Sequence, residues 1–159
     1  MNEVILAISP SDIIAVRGLF EQYAASLGID LGFQHFESEL SSLPGDYTAP
    51  RGALFLARAD GSPVGCIGLR PFSESIGELK RLYVIPDSRG SGHARALVSS
   101  AIAAARRIGY SELVLDTLAS MRPAIALYES FGFKQSAPYY TNPLPDVLYF
   151  RMTLEPNRA

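Results

Sequence analysis

The residues best suited to chemistry form the segment Arg89-Gly90-Ser91-Gly92-His93-Ala94, which directly follows the apolar run Leu82-Tyr83-Val84-Ile85-Pro86. A strand that passes into a helix through two glycines leaves several backbone N–H groups pointing outward without partners. The helix dipole adds roughly half a positive charge at the same place, so a phosphate is attracted there. Gly90 and Gly92 allow close approach to the backbone, and Arg89 at the rim can meet further oxygens, which suits a pyrophosphate better than a single carboxylate. The same glycines also fit a turn that binds nothing, since Gly relieves turn geometry by itself. The segment is neither a Walker loop, which needs Gly-Lys followed by Ser or Thr, nor a three-glycine dinucleotide fingerprint.

Two further candidates carry ionisable groups. Glu78 opens Glu78-Leu79-Lys80-Arg81, and three charges at the start of a central strand call for a cleft or for mutual pairing. Glu78 is therefore either a general base or the partner of Lys80, which strand alternation puts on the same face, with Arg70 joining from the neighbouring strand. Tyr128 shares a helical face with Ala124, Leu127 and Phe131, and periodicity alone makes it a packed aromatic. His93 falls inside the glycine turn as a neighbour of any bound phosphate. Neither it nor His35 has companions at metal spacing, and Cys66, the single cysteine, lies in an apolar strand-like run as a buried thiol. No metal site is expected.

These residues need elements to hold them. A short strand over 3–8 precedes Ser9-Pro10-Ser11-Asp12, a cap for a helix carrying Ile13, Val16, Leu19, Phe20 and Tyr23. A second helix over 33–43 ends in a Pro- and Gly-containing loop through 50. Runs at 53–59, 64–69 and 78–85, separated by turn residues, predict an antiparallel meander of three strands. Leu97, Val98, Ala101, Ile102, Ala105 and Ile108 mark a helix that Gly109 stops, followed by a buried strand over 113–116. Strand, helix and strand make a crossover unit whose two strands are parallel, so the sheet is mixed. A last helix over 122–131 stops at Gly132, final strands cover 133–136 and 147–154, and a Tyr- and Pro-rich loop over 138–145 is placed to cover a pocket.

The chain has 159 residues, 48% of them hydrophobic and 19% charged, which predicts one globular domain over 1–159. Fourteen Lys and Arg against 16 Asp and Glu leave a net charge of −2, so there is no global field for nucleic acid or an anionic membrane. No run of about 18 apolar residues occurs, and Glu3 and Asp12 flank only a short apolar stretch without a cationic leader. A cytoplasmic protein is expected.

Arg89-Gly90-Ser91-Gly92-His93-Ala94 resembles the acetyl-CoA signature of the GNAT N-acetyltransferases: Gln or Arg, two residues, Gly, one residue, then Gly or Ala. Leu82-Tyr83-Val84-Ile85-Pro86 resembles the strand that leads into it, and Ala124-Ile125-Ala126-Leu127-Tyr128-Glu129-Ser130-Phe131-Gly132-Phe133 resembles the second motif of the family. The resemblance implies an α/β (α+β) fold with a mostly antiparallel mixed sheet, flanked by helices, whose two parallel central strands splay apart. It implies acetyl-CoA as co-substrate and an amine of a small molecule or a peptide or protein as acceptor. The pantetheine arm would lie against the backbone of Leu82 and Val84, the pyrophosphate against the amides from Gly90 to Ala94, and the oxyanion near the N–H of Leu82 or Tyr83. Tyr128 would protonate the leaving thiolate. The family builds its acceptor pocket from the early helices and late hairpin, where Phe33, Phe36, Tyr47, Tyr139 and Tyr140 are the aromatic candidates. Met121 stands where the family often has Asn, which removes a side-chain hydrogen bond to pantetheine. It keeps open a non-catalytic acyl-CoA sensor. A second copy of the chain is a further candidate partner.

Overall fold

The computed structural model describes residues 2–28, 31–32 and 35–155. Ser9 caps the first helix, its side-chain oxygen accepting a hydrogen bond from the Asp12 amide at 3.2 Å, a contact worth about 1 kcal/mol. Helix α1 (Pro10–Leu27) follows, then α2 (Phe36–Ser42), α3 (His93–Ile108) and α4 (Arg122–Phe131). The second helix was expected from residue 33, which lies outside the described residues. The strands are β1 (Asn2–Leu6), β2 (Ala53–Ala59), β3 (Ser62–Pro71), β4 (Ile76–Val84), β5 (Glu112–Leu118), β6 (Lys134–Ser136) and β7 (Val147–Thr153). The β3 and β4 strands run longer than their apolar runs predict, because the hairpin between them closes tightly, with the Phe72 and Ser73 amides donating to Ile76 O.

The strands form one seven-stranded sheet in the order β1-β2-β3-β4-β5-β7-β6, antiparallel except between β4 and β5. Strand alternation divides the core between its two faces: Phe55 of β2 joins a cluster with Leu97, Val98 and Ala101 of α3, while Leu54 and Leu56 join Val16, Leu19 and Phe20 of α1. Burial on both faces explains why the central runs are continuously apolar. Among the described residues, no helix is long and apolar enough to cross a membrane.

Two irregularities shape the centre of the sheet. The parallel ladder between β4 and β5 holds only for Ile76, Gly77 and Glu78 against Glu112, Leu113 and Val114, whereas β5 stays paired with β7 as far as Leu118. The two central strands therefore part after Glu78. Nearby, the β3–β4 register steps from Cys66 opposite Tyr83 to Gly68 opposite Lys80, which puts a bulge at Arg81 with its φ at 63°. A left-handed non-glycine residue costs of order 1–3 kcal/mol. Here it turns β4 away from β5 and opens the sheet in its middle.

Candidate active site

Beyond the bulge, β4 ends at Val84 and a 3-10 turn (Pro86–Ser88) leads to the glycine segment and α3. Gly90 and Gly92 both have φ of 85°, and a Cβ on either would meet no atom within 4 Å, so the glycines leave an open cradle in front of the helix. The amides from Gly90 to Arg95 find no backbone acceptor among the described residues; the first helical bond runs from the Ala96 amide to Gly92 O. That arrangement has the unpaired donors and positive dipole end that a pyrophosphate requires. The cradle opens into a cleft of about 620 Å³ walled by Leu82, Tyr83 and Val84 on one side and Met121, Ala124 and Leu127 on the other. Of the residues expected to hold a CoA moiety, all but Ser91 line this cleft. Arg89 folds back, its Nε donating to Val84 O at 2.9 Å and its guanidinium 5.7 Å from the Tyr83 ring centre. His93, the first residue of α3, is buried.

A narrower cavity continues from the cleft into the gap between β4 and β5, and the two share Tyr23, Leu82, Met121 and Ala124. Tyr128 lines this gap. Its ring packs edge-on against Phe133 at 5.8 Å, so the packing reading of this residue holds for the ring. Its hydroxyl makes no hydrogen bond among the described residues. Burial, with smaller contributions from Tyr23 and Asp116, raises its pKa well above the ordinary phenol value.

The charged residues at the split form two adjacent groups, one around Arg70 and one around Asp116. Glu78 Oε1 accepts from Arg70 Nε at 2.9 Å, and Oε2 accepts from the Tyr139 hydroxyl at 2.6 Å. Glu39 of α2 binds Arg81 through Nε at 3.0 Å and Nη2 at 3.2 Å, and approaches Arg70 Nη1 at 3.5 Å. Lys80 pairs across the gap with Asp116 Oδ1 at 3.8 Å, while the Glu78 ion pair goes to Arg70. Alternation placed Glu78 and Lys80 correctly on one face; the bulge and the departure of β4 from β5 carry the Lys80 amine to Asp116 instead. Burial lowers the Lys80 pKa, opposed by Glu78 and Asp116. Asp116 Oδ2 accepts from the Tyr140 hydroxyl and from Asn142 Nδ2. Its Oδ1 accepts no hydrogen bond among the described residues, and Asp116 lines the narrow cavity. Glu78 does not line it.

The described residues thus combine an open glycine turn before a helix, an adjoining cleft and a parted pair of central strands. The Acetyltransferase (GNAT) family matches residues 19–133. The chain belongs to the GNAT acetyltransferases. It is similar to an uncharacterized N-acetyltransferase of Schizosaccharomyces pombe, 41% identical over 147 residues that cover 91% of this chain and 90% of that one. The uncharacterized N-acetyltransferase YjgM of Escherichia coli is 32% identical, covering 84% and 83%. Among solved structures, a Klebsiella pneumoniae chain bearing the name acyl-CoA N-acyltransferase superposes with a TM-score of 0.77 at 26% identity, covering 98% and 99%. A Salmonella typhimurium acetyltransferase, yncA, solved with its cofactor acetyl-CoA, has the same fold, with a TM-score of 0.70 at 19% identity and coverage of 99% and 96%.

The chain is thus an acetyl-CoA-dependent acetyltransferase, and the non-catalytic sensor is not favoured. Met121 sits at the start of α4, with the Thr117 hydroxyl 3.6 Å from its sulfur, and lines both cavities of this GNAT enzyme. None of the described aromatic candidates for the acceptor pocket lines the narrow cavity. Phe36 and Tyr47 are buried in the α1-side core. Tyr139 and Tyr140 turn their hydroxyls to Glu78 and Asp116. Phe33 lies outside the described residues. Leucines line the cavity instead, from Leu27 and Leu31 beside α1 to Leu118 and Leu144. Asp116 was the residue hardest to find from sequence; its one signal was an acidic side chain closing the apolar run Leu113-Val114-Leu115.

Proposed function

We propose that this GNAT enzyme acetylates a primary amine that binds against Asp116, with Tyr128 delivering the proton to the departing sulfur. One observation carries the reading. The Tyr128 hydroxyl and Asp116 Oδ1, neither engaged in a hydrogen bond among the described residues, line one cavity where β4 leaves β5, and that cavity meets the CoA cleft. Acetyl-CoA supplies a thioester, whose carbonyl carbon forms a bond to the amine nitrogen as the C–S bond breaks. Asp116 takes the proton that the nitrogen sheds, directly or through one water. A main-chain N–H at the bulge, at Leu82 or Tyr83, receives the charge that develops on the carbonyl oxygen. The Tyr128 hydroxyl gives its proton to the thiolate. Burial raises the phenol pKa, but the same dry surroundings make a thiolate more basic, so the transfer is matched. Glu78, both of whose oxygens are already held, serves on this reading as the charge that fixes Arg70 and Tyr139.

The test is release of free CoA from acetyl-CoA across a panel of amino acids, alkylamines, polyamines, arylamines, aminoglycosides and peptides. Asp116→Asn should lower turnover on any accepted amine by about a hundredfold or more. CoA binding should stay intact. Turnover unchanged in the variant would rule Asp116 out as the proton acceptor.

A further inference from the structure

Among the described residues, the buried charges around the split are balanced before any acceptor arrives. Glu39 and Glu78 stand against Arg70 and Arg81 in one cluster, and Asp116 stands against Lys80 beside it. A plain alkylamine, cationic at neutral pH, would add one uncompensated charge to this dry region, which is unfavourable. An acceptor with no net charge would not. The Lys80–Asp116 pair is also loose: at 3.8 Å it is longer than a charge-assisted hydrogen bond of about 2.7–2.9 Å. Both partners line the cavity, so both can be reached from it. The rest of the lining sets the polar Arg81, Thr117, Tyr128 and Asn142 beside the apolar Leu27, Leu31, Leu118 and Leu144.

We propose that the acceptor is a free α-amino acid with an apolar side chain, a proposal that rests on the acetyl-transfer reading above. Its amino group lies against Asp116 Oδ1 and its carboxylate against the Lys80 amine. The zwitterion then sits antiparallel to the ion pair, and every buried charge keeps an opposite neighbour. Its side chain takes the leucine-lined region. A peptide N-terminus carries the amine without the adjacent carboxylate and leaves Lys80 without this contact. Lys80 is on this view the residue that sets acceptor specificity, while Asp116 serves the chemistry.

Three acceptors that share one apolar group separate the possibilities: leucine, leucinamide and 3-methylbutylamine, each assayed for kcat/KM with saturating acetyl-CoA. The wild-type enzyme should favour leucine at least tenfold over both others. Lys80→Met should reduce that preference to within about threefold by losing activity on leucine alone, and Lys80→Arg should restore part of it. Should Lys80→Met fail to fold, the wild-type ratio decides. Equal or better use of the amide or the alkylamine overturns the proposal, as does a Lys80→Met enzyme that loses all three activities in proportion. If none of the three is acetylated while acetyl-CoA still protects the protein against heat, the amino-acid class is wrong. The acetyl-transfer reading would then be judged separately on the wider amine panel.

Discussion

The Tyr139 hydroxyl donates to Glu78 Oε2 across 2.6 Å and so ties the 137–146 loop to the central strand β4 just where β4 parts from β5. Tyr140 and Asn142 fasten the same loop to Asp116 on the other side of the gap. Burial and the Glu78 carboxylate raise the Tyr139 pKa far above the ordinary phenol value, so its proton stays in this bond at any pH the enzyme meets. Tyr139 packs edge-on against Phe72 and Tyr149 and at a tilt against Tyr140, which adds to the hold on the loop.

Tyr139→Phe keeps the packed ring and frees one end of the loop, leaving a buried carboxylate oxygen without its donor at a cost of about 1–3 kcal/mol. The KM for the acceptor should rise several-fold, while the KM for acetyl-CoA stays as it was because no residue of the 137–146 loop lines the cofactor cleft. Separate titration of the two substrates, with urea unfolding of both proteins, checks this. Equal changes in both KM values would show a general loosening instead.

Tyr128→Phe removes one hydroxyl and preserves the edge-on contact with Phe133. Turnover should fall by roughly ten- to a thousandfold when thiolate protonation limits the rate, with the unfolding midpoint and CoA affinity little changed. A phenol whose pKa is raised keeps its proton to higher pH than a free one. The wild-type pH–rate profile should therefore show no descending limb from Tyr128 below about pH 10. Full activity in the variant would return Tyr128 to a packing role.

Gly92→Asp puts an anion on the phosphate path at a residue with φ of 85°. The left-handed conformation costs a non-glycine residue roughly 1–2 kcal/mol, partly offset by an acidic side chain at the start of a helix. The variant should fold but lose the rise in melting temperature that CoA gives the parent protein. A CoA-dependent shift that survives the substitution would move the pyrophosphate away from this turn.

Cys66 is fully buried, and its Sγ lies 3.4 Å from Arg81 O. Burial pushes its thiol pKa well above the usual range, and the thiolate that reacts is absent. An aromatic disulfide reagent at pH 8 should titrate no protein thiol in the native state and one after unfolding. Rapid labelling of the folded enzyme would mean that β3 opens locally.

The glycine turn and the cleft proposed for CoA were legible in the sequence because their parts are contiguous. A strand, two glycines and the first turn of a helix lie within residues 82–95, and backbone geometry alone aims their amides at one ligand. Helix α4 was equally legible from its apolar face and the stop at Gly132. The acceptor side was not, because its contacts join residues far apart in the chain: Glu39 reaches Arg81, Glu78 meets Tyr139, and Asp116 faces both Lys80 and Tyr140. Alternation says which face of β4 carries Glu78 and Lys80, but not which partner each finds. That choice depends on the bulge at Arg81 and on a parallel ladder that ends after Glu78. Local patterns thus predicted the elements, the mixed sheet and a turn suited to phosphate, and the resemblance of two motifs to a known family carried the fold class and the cofactor. The proposed acceptor pocket was decided only when the tertiary structure parted the two central strands and made each buried charge take the nearest opposite one, whatever its distance along the chain.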